Sequence, residues 1–335
     1  MRTADINNKS ILITGGTGSF GKAFTRKVLE EYEPRRIIIY SRDEYKQYVM
    51  AQEFPADRYP NVRFFIGDVR DCDRLKRALR DVDIVIHAAA LKHVPAAEYN
   101  PFECIHTNVL GAENVVNASL DVGVERVLAL STDKAASPIN LYGASKLAAD
   151  KIFIAANSLS QGDGTKFSIV RYGNVLGSRG SVIPFFMRLK EEGAETLPIT
   201  DPRMTRFWIT LEQGVDFVLS SLGMMRSGEI FVPKIPSMKI TDLAEAICPG
   251  IRHEHVGIRP GEKLHEAMIT NADALSTIEL EDRYVIEPDF PYWTRRSFQE
   301  DGYSKVDEDF TYSSDINSEW LGSGQLLEML KQLDT

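Results

Sequence analysis

The sequence predicts an α/β protein: a doubly wound parallel sheet with helices on both faces, plus a smaller, interleaved C-terminal region. Three observations lead there. Short β-branched runs without polar alternation recur, as strands buried on both faces require. Longer amphipathic stretches separate these runs through the first half of the chain. A glycine-rich loop, Gly15-Gly16-Thr17-Gly18-Ser19-Phe20-Gly21, lies between the first such run and the first helical stretch.

In chain order, strands are expected at 11–14, 36–40, 62–66, 84–87, 127–130 and 167–171. Helices are expected at 20–31, 43–53, 71–80, 102–122 and 141–157. Crossovers between parallel strands should be right-handed. After Arg171 the texture changes, and Gly, Pro and Ser punctuate the chain. A helix at 211–225 and a strand at 229–232 look like a return to the sheet, followed by short helices near 241–247 and 325–332. The division expected is a Rossmann-like cofactor domain of residues 1–172 with 210–232, and a substrate domain of 173–209 with 233–335.

Composition narrows the function. The 335 residues are 43% hydrophobic and carry a net charge of −9, so the chain can build a core and lacks the basic surplus of a nucleic-acid or anionic-membrane binder. Cys72, Cys104 and Cys248 lie far apart, without CxxC spacing, so neither a disulfide framework nor a zinc site is expected. His93, His106, His253 and His255 show no metal-ligand arrangement, and no metal is expected. No signal-like segment and no apolar run of membrane-spanning length is present, and the expected compartment is the cytoplasm.

The glycine loop predicts a dinucleotide site. Glycines at 15, 18 and 21 permit a tight turn, close backbone approach to a pyrophosphate, and close helix–strand packing. The following helix N-terminus favours negative charge. Gly15, Thr17, Gly18, Ser19, Phe20 and Gly21 are the candidate contacts in this loop. An acid at the end of the second strand selects NAD by holding the ribose 2′-hydroxyl. Here that region reads Tyr40-Ser41-Arg42-Asp43, and Ser41, Arg42 and Lys46 suit a 2′-phosphate, so NADP is expected. Asp43 turned inward would favour NAD instead. Asp68 and Val69 are candidates at the adenine edge, although Asp68 equally suits a helix cap. Ala88 and Ala89 leave room for the cofactor to pass.

The fifth strand runs into Ser131-Thr132-Asp133-Lys134, at the carboxyl edge where ligands bind in such sheets. Tyr142 and Lys146 follow at i and i+4 on one helical face. A tyrosine is a poor base at neutral pH. A neighbouring ammonium and a cationic nicotinamide favour its phenolate, which can then take a proton from a substrate hydroxyl.

These blocks resemble the extended short-chain dehydrogenases/reductases that act on nucleotide sugars. Ser131-Thr132-Asp133-Lys134-Ala135 with Pro138-Ile139-Asn140-Leu141-Tyr142-Gly143-Ala144-Ser145-Lys146 is similar to the soluble UDP-N-acetylglucosamine 4,6-dehydratases, in particular their inverting branch, which opens pseudaminic acid synthesis. Ser41-Arg42-Asp43-Glu44, His87-Ala88-Ala89-Ala90-Leu91-Lys92, Arg171-Tyr172-Gly173-Asn174-Val175, Met204-Thr205-Arg206-Phe207-Trp208 and Arg259-Pro260-Gly261-Glu262-Lys263 extend the likeness.

The resemblance implies an internal redox cycle on UDP-N-acetylglucosamine. C4 is oxidised while Tyr142 takes the 4-hydroxyl proton. The C5 proton is then removed, water leaves from C6, and the hydride returns to C6. Lys134 is implied as the C5 base, with a lowered pKa, and Asp133 as the acid at O6. Thr132 is implied to hold the 4-hydroxyl. Lys92, Asn174, Arg206, Arg259 and Glu262 are the implied substrate contacts, with the two arginines on the diphosphate. A homo-oligomer, dimer or hexamer, is also implied. The alternatives are a retaining 4,6-dehydratase, a 4-epimerase, which needs no C5 base, and a non-catalytic NADP-sensing regulator. Met204 and Trp208 are expected in the core rather than at the cofactor.

Overall fold

The computed structural model of the chain describes residues 5–160, 164–178, 180–290 and 292–331. Its first half alternates as the sequence predicts. Strands β1 (Ser10–Thr14), β2 (Arg36–Ser41) and β3 (Val62–Ile66) are separated by α1 (Ser19–Glu31) and α2 (Glu44–Glu53). Then come α3 (Cys72–Ala78), β4 (Ile84–His87), α4 (Val94–Tyr99), α5 (Pro101–Ile105), α6 (Gly111–Val122), β5 (Arg126–Thr132), α7 (Leu141–Ala156) and β6 (Lys166–Tyr172). The caps mark why helices start where they do. Asp43, Asp71 and Asn140 accept from the backbone N–H groups of Lys46, Arg74 and Gly143 at 2.9, 2.9 and 2.8 Å.

The expected helix over 102–122 is interrupted. A π-helical turn, His106–Leu110, separates α5 from α6. Such bulges cluster at functional sites, and this one carries Asn108 into the interior, where it is 1% exposed.

The second half contains β7 (Asn174–Val175), α8 (Val182–Glu191), β8 (Thr196–Ile199), β9 (Thr205–Ile209), α9 (Leu211–Met224), β10 (Ile230–Pro233), β11 (Ser237–Lys239), α10 (Ile240–Ile247) and β12 (Arg252–His255). It ends with β13 (Ala267–Ile269), α11 (Asn271–Ala274), β14 (Thr277–Glu279), β15 (Arg283–Ile286), β16 (Ser304–Lys305), β17 (Tyr312–Ser313) and α12 (Ser323–Lys331). Residue 332, the end of the expected last helix, lies outside the described residues. The helix α8 was not legible in the sequence because Pro184 falls inside it. Pro184 sits in the first turn, where the missing N–H has no helical partner to lose.

One sheet of ten strands organises the molecule, in the order β16-β14-β15-β10-β6-β5-β4-β1-β2-β3. The seven strands from β10 to β3 are parallel. The strand order reverses between β1 and β4, and that switch point opens a crevice at the carboxyl edge. β15, β14 and β16 extend the sheet antiparallel beyond β10. The sequence reading assigned all of 233–335 to a second region, whereas 277–279, 283–286 and 304–305 are ladder strands of the main sheet. These strands are three, four and two residues long, too short for a periodic signal.

Two apolar clusters fill the interior. The larger lies on the sheet and includes Ile11, Leu12, Phe24, Val85, Phe153, Phe167 and Phe231. The smaller gathers Leu176, Phe186, Met204, Trp208, Leu243 and Leu326 from α8, α10, α12 and the short strands between. Met204 and Trp208 are buried there. Among the described residues no helix is long and apolar enough to cross a membrane.

Candidate active site

A cleft of about 770 Å³ runs along the carboxyl edge of the sheet, from the ends of β1 and β2 across β4 and β5 to β7. Its floor at the switch point is glycine by necessity. Gly15 has φ +65°, and a Cβ there would lie 2.9 Å from the Cα and N of Ala89. A Cβ on Gly21 would lie 2.2 Å from the carbonyl of Gly16, so α1 sits directly on the loop. Gly18, the N-cap of α1, offers no side-chain cap, and the first-turn N–H groups are left without a side-chain acceptor. An uncapped helix N-terminus beside a glycine floor fits a pyrophosphate. Thr17, Ser19 and Phe20 line the same end.

His87 supports this floor from beneath. Thr14 Oγ1 accepts from the Ala88 and Ala89 N–H groups, both at 3.2 Å, and meets His87 Nδ1 at 2.8 Å. With both acceptor positions taken, the hydroxyl donates to Nδ1, which must be unprotonated. Burial pushes the His87 pKa down to about 3, helped by the Lys146 charge. A histidine neutral when folded and free to protonate when unfolded costs stability as pH falls below its unfolded value of about 6.5, and the loss continues down to about 3. Between about pH 7 and about pH 5 we expect a loss of about 2 kcal/mol from this group. Urea unfolding at the two pH values should show it, and His87→Asn should remove that part of the pH dependence.

At the second strand, Ser41, Arg42 and Lys46 line the cleft. Asp43 is occupied: it caps α2 and pairs with Lys46 Nζ at 3.2 Å. Asp68 does not cap α3, a role taken by Asp71. Its carboxylate accepts from Arg70 at N, Nε and Nη2, at 3.0, 3.1 and 2.8 Å, and lies 3.7 Å from Arg42 Nη1. Asp68 and the buried Val69 line the cleft, as do Ala88 and Ala89.

The reacting end is built by contact between α7 and the turn after β5. A Cβ on Gly143 would lie 2.2 Å from the Lys134 carbonyl, so only glycine lets α7 close on that turn. The contact places Tyr142 beside Thr132, Asp133 and Lys134, and all four line the cleft. Thr132 Oγ1 donates to Asp133 Oδ1 at 2.8 Å, and Lys134 Nζ donates to the same oxygen at 3.1 Å. Asp133 is 1% exposed, and its other oxygen, Oδ2, has no hydrogen-bond partner among the described residues. Lys146 Nζ donates to the Leu130 carbonyl at 2.8 Å. One turn on, the buried Asp150 accepts from Ser131 Oγ at 2.8 Å and from Arg171 Nη2 at 3.4 Å. Burial lowers the Lys146 pKa against the pull of Asp150.

One electrostatic expectation is corrected. Lys134 is not pushed toward neutrality: burial acts against its charge, but the carboxylates of Asp133 and Glu266 outweigh burial, and its pKa rises. Burial pushes the Tyr142 pKa up to about 12. The cation that opposes this most is Lys134, rather than Lys146.

The expected substrate contacts divide. Lys92 and Asn174 line the cleft, and Asn174 Oδ1 is buried without a partner. Arg206, Arg259 and Glu262 are not among the residues lining it. Arg206 is 8% exposed, and its guanidinium donates to the carbonyls of Thr205, Leu264 and Lys263 at 2.6, 3.0 and 2.9 Å. It therefore braces the 259–266 loop instead of waiting for a diphosphate. Arg259 is exposed, and its carbonyl accepts from Glu262 N to close a tight turn. That turn is latched to the α7 entrance: Asn140 Nδ2 donates to the Gly261 carbonyl at 2.7 Å, and Lys263 Nζ donates to the Ala136 carbonyl at 2.6 Å. Glu262 Oε2 is buried and unpartnered.

Two residues escaped the sequence reading. Asn108, on the π turn, clasps Leu91 by donating to its carbonyl at 2.9 Å and accepting from its N–H at 2.8 Å, and also donates to Ser145 Oγ at 2.9 Å. It fixes the segment bearing Lys92 against α7. An asparagine within an apolar helical run was the available signal. Glu266, 2% exposed, lies 3.4 Å from Lys134 Nζ. No local pattern marks it, because the contact joins distant parts of the chain. Among the described residues no cluster of histidine, cysteine and carboxylate side chains suits a metal ion.

Comparison with known proteins agrees with this architecture. The family described as polysaccharide biosynthesis protein matches residues 11–288. The UDP-N-acetylglucosamine 4,6-dehydratase (inverting) of Campylobacter jejuni subsp. jejuni serotype O:2 is 57% identical over 334 residues, 98% of this chain and 99% of that protein. The UDP-glucose 4-epimerase of Rickettsia akari is 42% identical over 337 residues, 98% of this chain and 96% of that protein. Among solved structures, DesIV, the dTDP-glucose 4,6-dehydratase of Streptomyces venezuelae with NAD and TYD bound, superposes with a TM-score of 0.68 at 27% identity, over 76% of this chain and 86% of that one. With its glycine floor at the switch point and its tyrosine and lysine on α7, the chain belongs to the polysaccharide biosynthesis protein family and is an extended short-chain dehydrogenase/reductase.

Proposed function

We propose that the protein is a C5-inverting UDP-N-acetylglucosamine 4,6-dehydratase that uses NADP. The observation that carries this reading is the Asp133–Lys134 pair, hydrogen-bonded at 3.1 Å beside Tyr142 in the cleft. An epimerase has no use for an acid–base pair at C5 and C6, whereas an elimination requires one. The near-full-length likeness to the Campylobacter enzyme supports the substrate.

The cofactor, when bound, accepts a hydride from C4 and returns it at C6. Tyr142 takes the 4-hydroxyl proton, with Thr132 holding that hydroxyl, and a cationic nicotinamide brings the phenol down from about 12. The resting Lys134 is charged, so it must shed a proton before acting as a base. Asp133 must gain one before acting as an acid. Transfer across the 3.1 Å hydrogen bond does both: it yields a neutral amine to remove the C5 proton and a carboxylic acid to protonate the departing C6 hydroxyl. The C5 proton stays on Lys134, water leaves, and Asp133 returns to carboxylate, so the pair ends as it began; as the hydride comes back to C6, C5 takes a solvent proton on the opposite face and Tyr142 releases the 4-hydroxyl proton to solvent.

Ser41, Arg42 and Lys46 support NADP over NAD, because two cations and a hydroxyl stand at the cleft wall while Asp43 is held by its own helix. Arg42→Ala should weaken NADP by roughly ten- to a hundredfold and NAD much less, measured by fluorescence titration. Equal losses for both would remove Arg42 from the 2′-phosphate. Lys92 and Asn174 are the proposed sugar contacts, and Glu262, through its unpartnered oxygen, a proposed contact for the nucleoside. We place the enzyme in the cytoplasm, as a homo-oligomer, at the entry to pseudaminic acid synthesis.

Proton NMR of UDP-N-acetylglucosamine with the purified protein and NADP tests the activity. Loss of the C6 hydroxymethyl signals and growth of a methyl signal are expected. Formation of the C4 epimer without a methyl signal would establish the epimerase instead.

A further inference from the structure

We propose that Glu266 is a positioning residue of the elimination machinery: its carboxylate, shared between Lys134 and Lys263, governs how readily Lys134 sheds its proton. The inference rests on the dehydratase reading and deepens it.

Glu266 immediately precedes β13 and is held rigidly. Its N–H donates to Ser314 Oγ at 3.0 Å, and its carbonyl accepts from Ser314 N at 2.8 Å. Its side chain is buried between two lysines: Oε1 lies 3.4 Å from Lys134 Nζ, and Oε2 lies 3.5 Å from Lys263 Nζ. Among the described residues Oε2 has no hydrogen-bond donor. A carboxylate in such a place is costly unless neighbouring cations offset it. It is the second carboxylate on the amine that must become a base.

All the charged and titratable groups around that amine enter the balance. Asp133, on the same turn, and Glu266 favour the ammonium. Arg206, on β9, disfavours it. Tyr142, on α7, faces it as a neutral phenol. Lys263 stands behind Glu266 and draws part of its charge away. Asp133 cannot be spared, because it is the proton acceptor. Glu266 is free to set the level: with its charge present, the amine holds its proton more firmly. Lys263 also ties the 259–266 loop to the Ala136 carbonyl, so loop position and amine charge are coupled through one carboxylate.

The test is the pH profile of dehydration of UDP-N-acetylglucosamine, with NADP saturating. The rate should fall at alkaline pH, where the proton that Lys134 and Asp133 share is lost to solvent and no acid remains for the C6 hydroxyl. Glu266→Gln keeps the shape and removes the charge, so that falling limb should move to lower pH by about one unit. Lys263→Gln leaves more of the Glu266 charge on Lys134, so the limb should move to higher pH. Glu266→Asp, which retains the charge, should return it toward the wild-type position. A purely structural role would lower the rate at every pH and leave the limb in place. An unmoved limb in Glu266→Gln with NADP still bound overturns the proposal. If that variant does not fold, an unmoved or downward-shifted limb in Lys263→Gln overturns it equally. A wild-type protein that turns over no substrate overturns the dehydratase reading itself, and this inference with it.

Discussion

Lys134→Gln should cut dehydration by roughly a thousandfold or more while C4 oxidation survives. Glutamine fills much of the same space but cannot accept the C5 proton at neutral pH, and it cannot supply the proton that makes Asp133 an acid. Both halves of the elimination therefore fail together. Oxidation at C4 depends on Tyr142 and Thr132, which remain, so a single turnover should still register as nicotinamide absorbance that no longer decays. The substitution also leaves the buried carboxylates of Asp133 and Glu266 without their shared cation. Breaking a buried ion pair costs about 3–5 kcal/mol, so a lower unfolding midpoint should accompany the loss of activity. Dehydration at the wild-type rate in this variant would remove Lys134 from the base role.

Tyr142→Phe should abolish both stages, because elimination waits on the C4 ketone. A loss of roughly a thousandfold or more in C4 oxidation is expected. The pH dependence separates this residue from Lys134. The Tyr142 phenol is pushed up to about 12, chiefly by burial, with Lys134 pulling it back. A group raised in this way stays protonated through neutral pH and ionises only under strongly alkaline conditions. Addition of NADP⁺ should lower that value, because the cationic ring favours phenolate. Ultraviolet titration of the phenol, with Tyr142→Phe as the blank, should show an alkaline transition that moves to lower pH with the cofactor. A transition unmoved by NADP⁺ would contradict the assignment of Tyr142 as the cofactor-activated base.

What was legible in the sequence was local. The glycine loop, the β-branched strands and Tyr142 with Lys146 depend on neighbours within a few residues, and the sheet then carries them to one edge. The strand end Thr132-Asp133-Lys134 was legible for the same reason, since an α/β sheet places such residues at its crevice. Protonation states were not legible. The lysine at 134 suggested a neutral base, but Asp133 beside it and then Glu266, brought in from beyond β12, outweigh its burial. Arg206 suggested a diphosphate clamp, but three backbone carbonyls of its own neighbourhood claim its guanidinium. The edge strands β14 to β16 were missed because each is too short for a pattern and is defined by its partner. The π turn that aims Asn108 at Leu91 was missed because a bulge changes the helical period without changing its composition.

The central claim is that one bound cofactor supports oxidation at C4, a lysine removes the C5 proton, and reprotonation inverts C5. NMR of UDP-N-acetylglucosamine turned over in D₂O, with catalytic NADP⁺, tests all three at once. The account predicts a 4-keto-6-deoxy product with deuterium at C5 and L-arabino configuration, formed without net consumption of cofactor. A product with C5 still protonated, or one with stoichiometric reduced cofactor, would contradict it.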